Sequence, residues 1–334
     1  MASINGKPIG PIGLGLMGFT WRSHVTADAQ AFDAMKAALA GGANFWNGGE
    51  FYGCAPTQTA NLSLINRYFS AYPEDADKVV LSIKGGVDYE GSFMPRGDRA
   101  GVQKSVDNVL RLLGGAKFID VFECARVDPS VPIEDTVAVL AEYVAAGKIG
   151  GIGLSEVSAA TIRRAHKVHP IAAVEVEVSP WSTEIFAPGG VAETCAELGI
   201  PVVAYSPLGR GFLAGQVKAF EDIPEGDFRR VIDRFQPGNF EKNMRLVDEI
   251  EKVAEKKGIT KAQLCLAWVR SRGNKEGLAN IIPIPGATTR ARVEENCALA
   301  EVENEELKKL DEILASLGVH GGRYNKHMEP LLMV

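Results

Sequence analysis

The chain is poor in the features that mark several classes of protein, and each shortage closes a possibility. Five cysteines, Cys54, Cys124, Cys195, Cys265 and Cys297, lie scattered among 334 residues. Odd in number and without a C-x-x-C pair, they exclude a disulfide framework and a zinc or redox motif of that kind. They read as reduced thiols of a cytoplasmic protein. No run of Lys and Arg forms a stripe and the formal net charge is −6, so nothing here neutralises a row of phosphates, and nucleic acid is not an expected partner. No apolar stretch approaches the roughly 18 residues of a membrane span, and residues 1–20 lack the basic start and long apolar core of an export signal. Neither a membrane nor export is expected. Of five histidines, His166 and His169 fall in the helical stretch IRRAHKVH without a carboxylate partner, which reads as a solvated face, and no metal is expected.

What is present is apolar material, 46% of residues, in short β-branched runs that alternate with longer helical patterns. The candidate strands are PIGLGLM, NFWN (44–47), VVLSIKG (79–85), IDVFECA (119–125), GGIGLS (150–155), AAVEVEVS (172–179), PVVAYSP (201–207) and NIIPIPG (280–286). Between them lie stretches such as VQKSVDNVLRLLGG, apolar at 3.6-residue spacing and closing on Gly. Eight strand-helix repeats predict one α/β domain over residues 1–334, a closed parallel (β/α)8 TIM barrel. The interval after PVVAYSP is far longer than the others and predicts a long loop and an extra helix after the seventh strand.

Gly13, Gly15 and Gly18 spell G-x-G-x-x-G. A dinucleotide fingerprint needs a helix starting at its third glycine and an acidic residue closing the second strand. Here Gly18 leads into the helix-poor FTWRSHVT, and Asp33 falls inside a helical pattern. The expectation is that these glycines let the first barrel strand end in a tight loop.

Barrel chemistry sits at the C-terminal ends of strands. Those ends carry Asn47 and Tyr52, then Lys84, Ala125 with Arg126, Ser155 with Glu156, Glu175, and Tyr205. An ammonium beside a phenol lowers the phenol pKa, so Tyr52 and Lys84 form a possible proton-donating pair. A rim tyrosine and a solvated lysine are the other reading, and spacing does not choose.

GLGLMG, NFWNGGEFYG, LSIKGG, IDVFECARVD, IGGIGLSE, VEVEVSPWS, VVAYSPLGRGFLAG and IIPIPGATTRARVEEN stand in the order and spacing of an aldo-keto reductase. The resemblance spans about residues 8 to 315, and WNGGEFYG, CARVD and GLSE are most similar to the fungal pyridoxal reductases. It implies an oxidoreductase that uses NADPH to reduce a small-molecule carbonyl. Tyr52 matches the proton donor and Lys84 its partner. Ser155 and Glu156, where the family has Ser-Asn, and Glu175, where it has Gln, match positions at the nicotinamide. Tyr205 matches the ring on which the nicotinamide stacks, and the stretch from Ser206 through Leu208, Gly209 and Gly211 the loop over the pyrophosphate. Thr288 and Arg292 match positions that meet the 2′-phosphate, and Glu295 and Asn296 those that hold the adenine. Met17 and Gly286 are carried over as further cofactor contacts. A guanidinium presents a donor fork to a phosphate, so Arg292 favours NADPH over NADH.

Two positions depart from the family. Asn47 replaces its Asp and Ala125 its His, so neither the carboxylate beside the lysine nor the imidazole is present. Glu123, two residues before Ala125, shares its inward face about 7 Å lower in the barrel. It either supplies the missing charge to Lys84 or pairs with some other group. Phe19, Trp21, Phe51, Trp181 and Phe186 suggest an aromatic wall for a ring-bearing aldehyde, or else loop packing, with Trp21, Tyr52 and Arg126 as substrate contacts. Three readings follow: an NADPH-dependent aldehyde reductase, for pyridoxal or more generally for carbonyls of secondary metabolism; an NADPH-binding regulatory subunit similar to potassium-channel β-subunits; and a glycosidase using Glu123, Glu175 and Glu177.

Overall fold

The computed structural model describes residues 2–273, 275 and 277–334. It begins with a hairpin, β1 (Ser3–Ile4) and β2 (Lys7–Pro8), turned by Asn5 and Gly6, both at positive φ. Asn-Gly favours this two-residue turn because its twist matches that of the flanking strands. The hairpin lies outside the eight predicted strands.

Those eight all form: β3 (Leu14–Gly15), β4 (Phe45–Gly49), β5 (Val80–Gly85), β6 (Val121–Cys124), β7 (Ile152–Ser155), β8 (Ile171–Glu177), β9 (Val202–Tyr205) and β10 (Ile281–Pro283). They pair in chain order, every ladder parallel. The helices are α1 (Met17–Thr20), α2 (Asp28–Ala40), α3 (Ala60–Ala71), α4 (Arg99–Leu113), α5 (Ile133–Ala145), α6 (Ala159–Val168), α7 (Val191–Glu197), α8 (Phe240–Lys257), α9 (Lys261–Arg272), α10 (Arg290–Cys297) and α11 (Asn304–Leu317). Local chemistry sets their ends. The side chains of Asp98 and Ser158 cap α4 and α6, while Gly114 and Gly258, both left-handed, end α4 and α8. Between β9 and β10 the chain runs through short 3-10 turns and then both α8 and α9, the long loop and extra helix expected there.

The barrel closes between β3 and β10, and the glycine motif explains how. Pro283 and Pro285 have no N–H to offer, while the N–H of Ile284 points the other way, to the Ala204 carbonyl at 3.0 Å. The seam is therefore donated from β3: Gly13 N–H to Pro283 O at 2.9 Å and Gly15 N–H to Pro285 O at 3.1 Å. A Cβ on Gly13 would lie 2.5 Å from the Phe45 carbonyl and 2.9 Å from Ile284 Cγ2. Gly13 and Gly15 thus permit close strand approach, and neither has the positive φ of a tight turn. That corrects the expectation of a loop-forming role. Asp33 lies on α2 and pairs with Arg290, so it takes no part in a nucleotide fingerprint.

An apolar layer that includes Ile4, Ile9, Phe45, Val80, Val121 and Val203 fills the bottom of the barrel. The hairpin covers it, tied down by Lys7, which reaches Asp120 at 2.6 Å, and by Asn5 Nδ2, which donates to the Asp120 carbonyl at 2.8 Å. Polar chemistry is left to the upper layers. Gly13→Ala should cost ~1–3 kcal/mol of stability, the usual scale of overpacking, read as a lowered midpoint in chemical denaturation. An unchanged midpoint would mean that the seam is not tight.

Candidate active site at the barrel mouth

Strand register builds the centre of the site. Lys84 of β5 lies opposite Glu123 of β6, and Glu175 of β8 comes from across the barrel. The Lys84 ammonium meets Glu123 Oε1 at 3.0 Å, Asn47 Oδ1 at 3.1 Å, and Glu175 Oε1 in a still shorter contact. Asn47 fixes the carboxylates in turn, its Nδ2 donating to Glu175 Oε2 at 2.7 Å and to Glu123 Oε1 at 3.3 Å. All four side chains are buried. Burial alone would push Lys84 toward neutrality, but Glu123 and then Glu175 outweigh it and hold the ammonium above its ordinary pKa. Two carboxylates share one cation, so the cluster carries one unbalanced negative charge and favours holding an extra proton. Burial and the charge of Glu123 push the Glu175 carboxyl well above the usual range.

Tyr52 lies in the rim just beyond β4 and packs with Phe51 and Ala125. Ala125 leaves an apolar surface where the family has His. Trp21 lies 5.5 Å from the Tyr52 ring and 5.8 Å from Phe51, centroid to centroid. Burial is the main influence on the Tyr52 hydroxyl, and with Glu175 and Glu123 it prevails over Lys84, raising the phenol to about 12. Lys84 does lower the phenol, as expected of a Tyr-Lys pair, but burial outweighs it and the two carboxylates add to the rise. Of the other expected aromatics, Phe19 is in the core, Trp181 stacks on Phe212 at 4.8 Å, and Phe186 packs on Trp268 at 6.3 Å. They hold loops to the barrel. Phe228 and Tyr324, not foreseen, extend the wall instead: Phe228 lies 6.5 Å from Trp21 and 5.7 Å from Tyr324.

The upper rim is laced by ion pairs reaching to the C-terminal segment. Arg323 grips Glu156 through two bonds of 3.0 and 2.8 Å, and Arg210 meets Glu177 at 2.9 Å. The Glu156 carboxylate, at a nicotinamide position in the family, is thereby engaged, and so is that of Glu175. Glu177 pairs with Arg210 and does not join Glu123 and Glu175, which are both engaged by Lys84. Glu156, Ser206 and Arg210 have φ of 51°, 50° and 58°, a left-handed backbone that strains larger residues and is concentrated here at the mouth. The Tyr205 hydroxyl lies 3.2 Å from that of Tyr324.

The cofactor candidates fall into two groups. Leu208, Gly286, Arg292, Glu295 and Asn296 line one cavity of about 320 Å³, together with Lys261 and its partner Glu251. Arg292 is exposed and forms no ion pair among the described residues, which suits it to a phosphate. Ser155 Oγ is buried at the end of β7 with no hydrogen bond, a free polar group where the family holds a carboxamide. These residues fit a dinucleotide. Gly209 and Gly211 form the turn after β9, Met17 is exposed at the start of α1, and the Thr288 carbonyl accepts from Gln30.

Comparison with known proteins agrees with this geometry. The family described as "Aldo/keto reductase family" matches residues 11–315. A "Probable pyridoxal reductase 2" of Schizosaccharomyces pombe is 44% identical over all of both chains. A "Putative pyridoxal reductase" of Saccharomyces cerevisiae is 39% identical over 93% of this chain and 95% of its own. An "Aldo-keto reductase yakc [NADP(+)]" of S. pombe is 38% identical over 96% and 93%. In fold, the chain is similar to the glycerol dehydrogenase AKR11B4 from Gluconobacter oxydans, with a TM-score of 0.78 at 24% identity over 94% of each chain. No described helix is long and apolar enough to cross a membrane.

One rim carboxylate escaped the sequence reading. Glu50 is buried beside the site, accepting hydrogen bonds from Ser105 and from Asn108, the latter at 2.7 Å. Burial pushes its pKa up to about 7. The folded protein then holds a proton that the unfolded chain releases near pH 4.5, so stability from this group is present below that pH and is lost as pH rises through 7. Glu50→Gln should flatten this loss between pH 5 and 8, by up to ~3 kcal/mol, measured by denaturant unfolding at each pH. Parallel curves for both proteins would contradict the assignment.

Proposed function

The chain belongs to the aldo/keto reductase family, a family of oxidoreductases, and from that premise we propose that it reduces aromatic aldehydes to alcohols with NADPH, pyridoxal to pyridoxine foremost. The observation that carries the reading is Tyr52, a buried phenol within an aromatic wall and close to a charged, anchored lysine. Two relatives named as pyridoxal reductases support the substrate. Arg292, exposed on a cavity and without an ion pair among the described residues, supports NADPH over NADH.

The cofactor, when bound, supplies hydride to the carbonyl carbon. Tyr52 gives its proton to the carbonyl oxygen. A phenol raised to about 12 is fully protonated at neutral pH, and the alkoxide that develops is a stronger base than a phenolate, so transfer runs downhill. Lys84 steadies the phenolate left behind, and Glu123 with Glu175 keeps Lys84 charged. Asn47 orients these groups and carries no charge. Trp21 and Phe51 hold the aldehyde ring against Tyr52 and exclude water. Ser155 and Tyr205 would hold the nicotinamide, and the turn through Ser206, Leu208, Gly209 and Gly211 would hold the pyrophosphate.

The test is oxidation of NADPH in the presence of pyridoxal, other aromatic aldehydes, ketones and quinones. Pyridoxal or a comparable aromatic aldehyde should be best, with NADH a poor donor. Tyr52→Phe should lose nearly all turnover yet retain NADPH binding, measured by quenching of protein fluorescence. Tight NADPH binding by the native protein without turnover of any carbonyl would favour the regulatory-subunit reading. Arg292→Ala should weaken NADPH binding by ~1.5–3 kcal/mol, the scale of a hydrogen bond to a charged group, and leave NADH binding nearly unchanged. Equal weakening of both would remove Arg292 from the 2′-phosphate.

A further inference from the structure

Arginines crowd the barrel mouth, and Arg210, Arg234 and Arg323 among them have carboxylate partners. Arg210 meets Glu177 at 2.9 Å, Arg234 meets Glu184 at 3.6 Å, and Arg323 meets Glu156 at 2.8 Å. Arg126 has none. It follows Ala125 directly, half-buried at the end of β6. Its Nη1 donates to the Ala125 carbonyl at 2.5 Å and its Nη2 to the neutral Tyr324 hydroxyl at 3.1 Å. Its Nε is buried and makes no hydrogen bond. Glu156 is the charge that could have served it, but both oxygens of that carboxylate are held by Arg323.

A partly desolvated cation without an anion is costly, and such charges are normally paired. The edge left underused is Nε with Nη2, the side of the guanidinium fork that takes a carboxylate or similar oxyanion through two parallel bonds. Arg126 is one residue beyond the Ala125 against which Tyr52 packs. Resting on the reductase reading above, we propose that Arg126 is a specificity residue, and that the favoured substrates are planar aromatic aldehydes bearing an anionic oxygen on the ring. The substrate's oxyanion takes Nε and displaces the Tyr324 hydroxyl from Nη2, which orients the aldehyde toward Tyr52. An ionised ring hydroxyl, a carboxylate and a ring-borne phosphate ester share this chemistry.

The experiment compares matched charged and neutral aldehydes at saturating NADPH: 4-carboxybenzaldehyde with its methyl ester, and 2-hydroxybenzaldehyde above its pKa with 2-methoxybenzaldehyde. Pyridoxal against pyridoxal 5′-phosphate separates a ring oxyanion from a phosphate as the preferred group. The charged member of each pair should have a kcat/KM about ten-fold or more higher, the least that a charged hydrogen bond provides. In Arg126→Leu the ratio should fall to near one, and in Arg126→Lys it should be intermediate. A ratio near one in the native protein overturns the proposal. So does a ratio that survives in Arg126→Leu, or an Arg126→Leu protein whose main defect is loss of NADPH binding. If no aldehyde is reduced at all, it is the reductase reading that fails. Calorimetry with benzoate then decides the anion site: binding to the native protein but not to Arg126→Leu sustains it, and binding to neither overturns it.

Discussion

The structure of the mouth depends on one buried ammonium shared by two carboxylates. Lys84 stands between Glu123 and Glu175, and Asn47 bonds all three. Removing the lysine would leave two buried carboxyls without their cation, a loss on the order of several kcal/mol. Removing one carboxylate leaves the other in place. That asymmetry explains how the chain can carry Asn47 where the family has a carboxylate: carboxyls from β6 and β8 stand beside the lysine instead. Burial raises the Tyr52 phenol, and the surplus negative charge of Glu175 and Glu123 adds to that rise against the lowering by Lys84.

A second layer of ion pairs above this centre ties distant parts of the chain together. Arg323 reaches Glu156 at the end of β7, Arg210 reaches Glu177 at the end of β8, and Val334 N–H bonds the Glu156 carbonyl at 3.2 Å. The C-terminal segment therefore helps to build the rim, and Tyr324 brings it against Tyr205 and Arg126. The strained backbone at Glu156 and Arg210 is held by these same pairs, since each residue's side chain is the one engaged.

Much of this was legible in the sequence because it obeys short periods. The eight barrel strands read directly from their apolar runs, and two-residue alternation put Glu123 on the inward face shared with Ala125. What was not legible depends on distance across the barrel. Glu175 meets Lys84 from three strands away in the sheet, and no spacing rule reports that contact. Arg323 and Tyr324 come from a stretch with no periodicity at all. Trp181 and Phe186 sit at strand ends as aromatic wall residues would, yet each finds an aromatic partner in the body of the fold. The Asn5-Gly6 hairpin carried a clear turn signal, but its two-residue strands are too short to show alternation.

The central claim is that Glu123 and Glu175 together keep Lys84 charged. The direct measurement is the ionisation of Lys84 itself, by NMR of the protein with isotope-labelled lysine side chains and with Lys84→Arg to assign the signal. The Lys84 signal should remain that of an ammonium to about pH 10, and in the Glu123→Gln, Glu175→Gln double variant it should titrate at a distinctly lower pH. A Lys84 that titrates near neutrality in the native protein, or whose titration is the same in the double variant, would contradict the account.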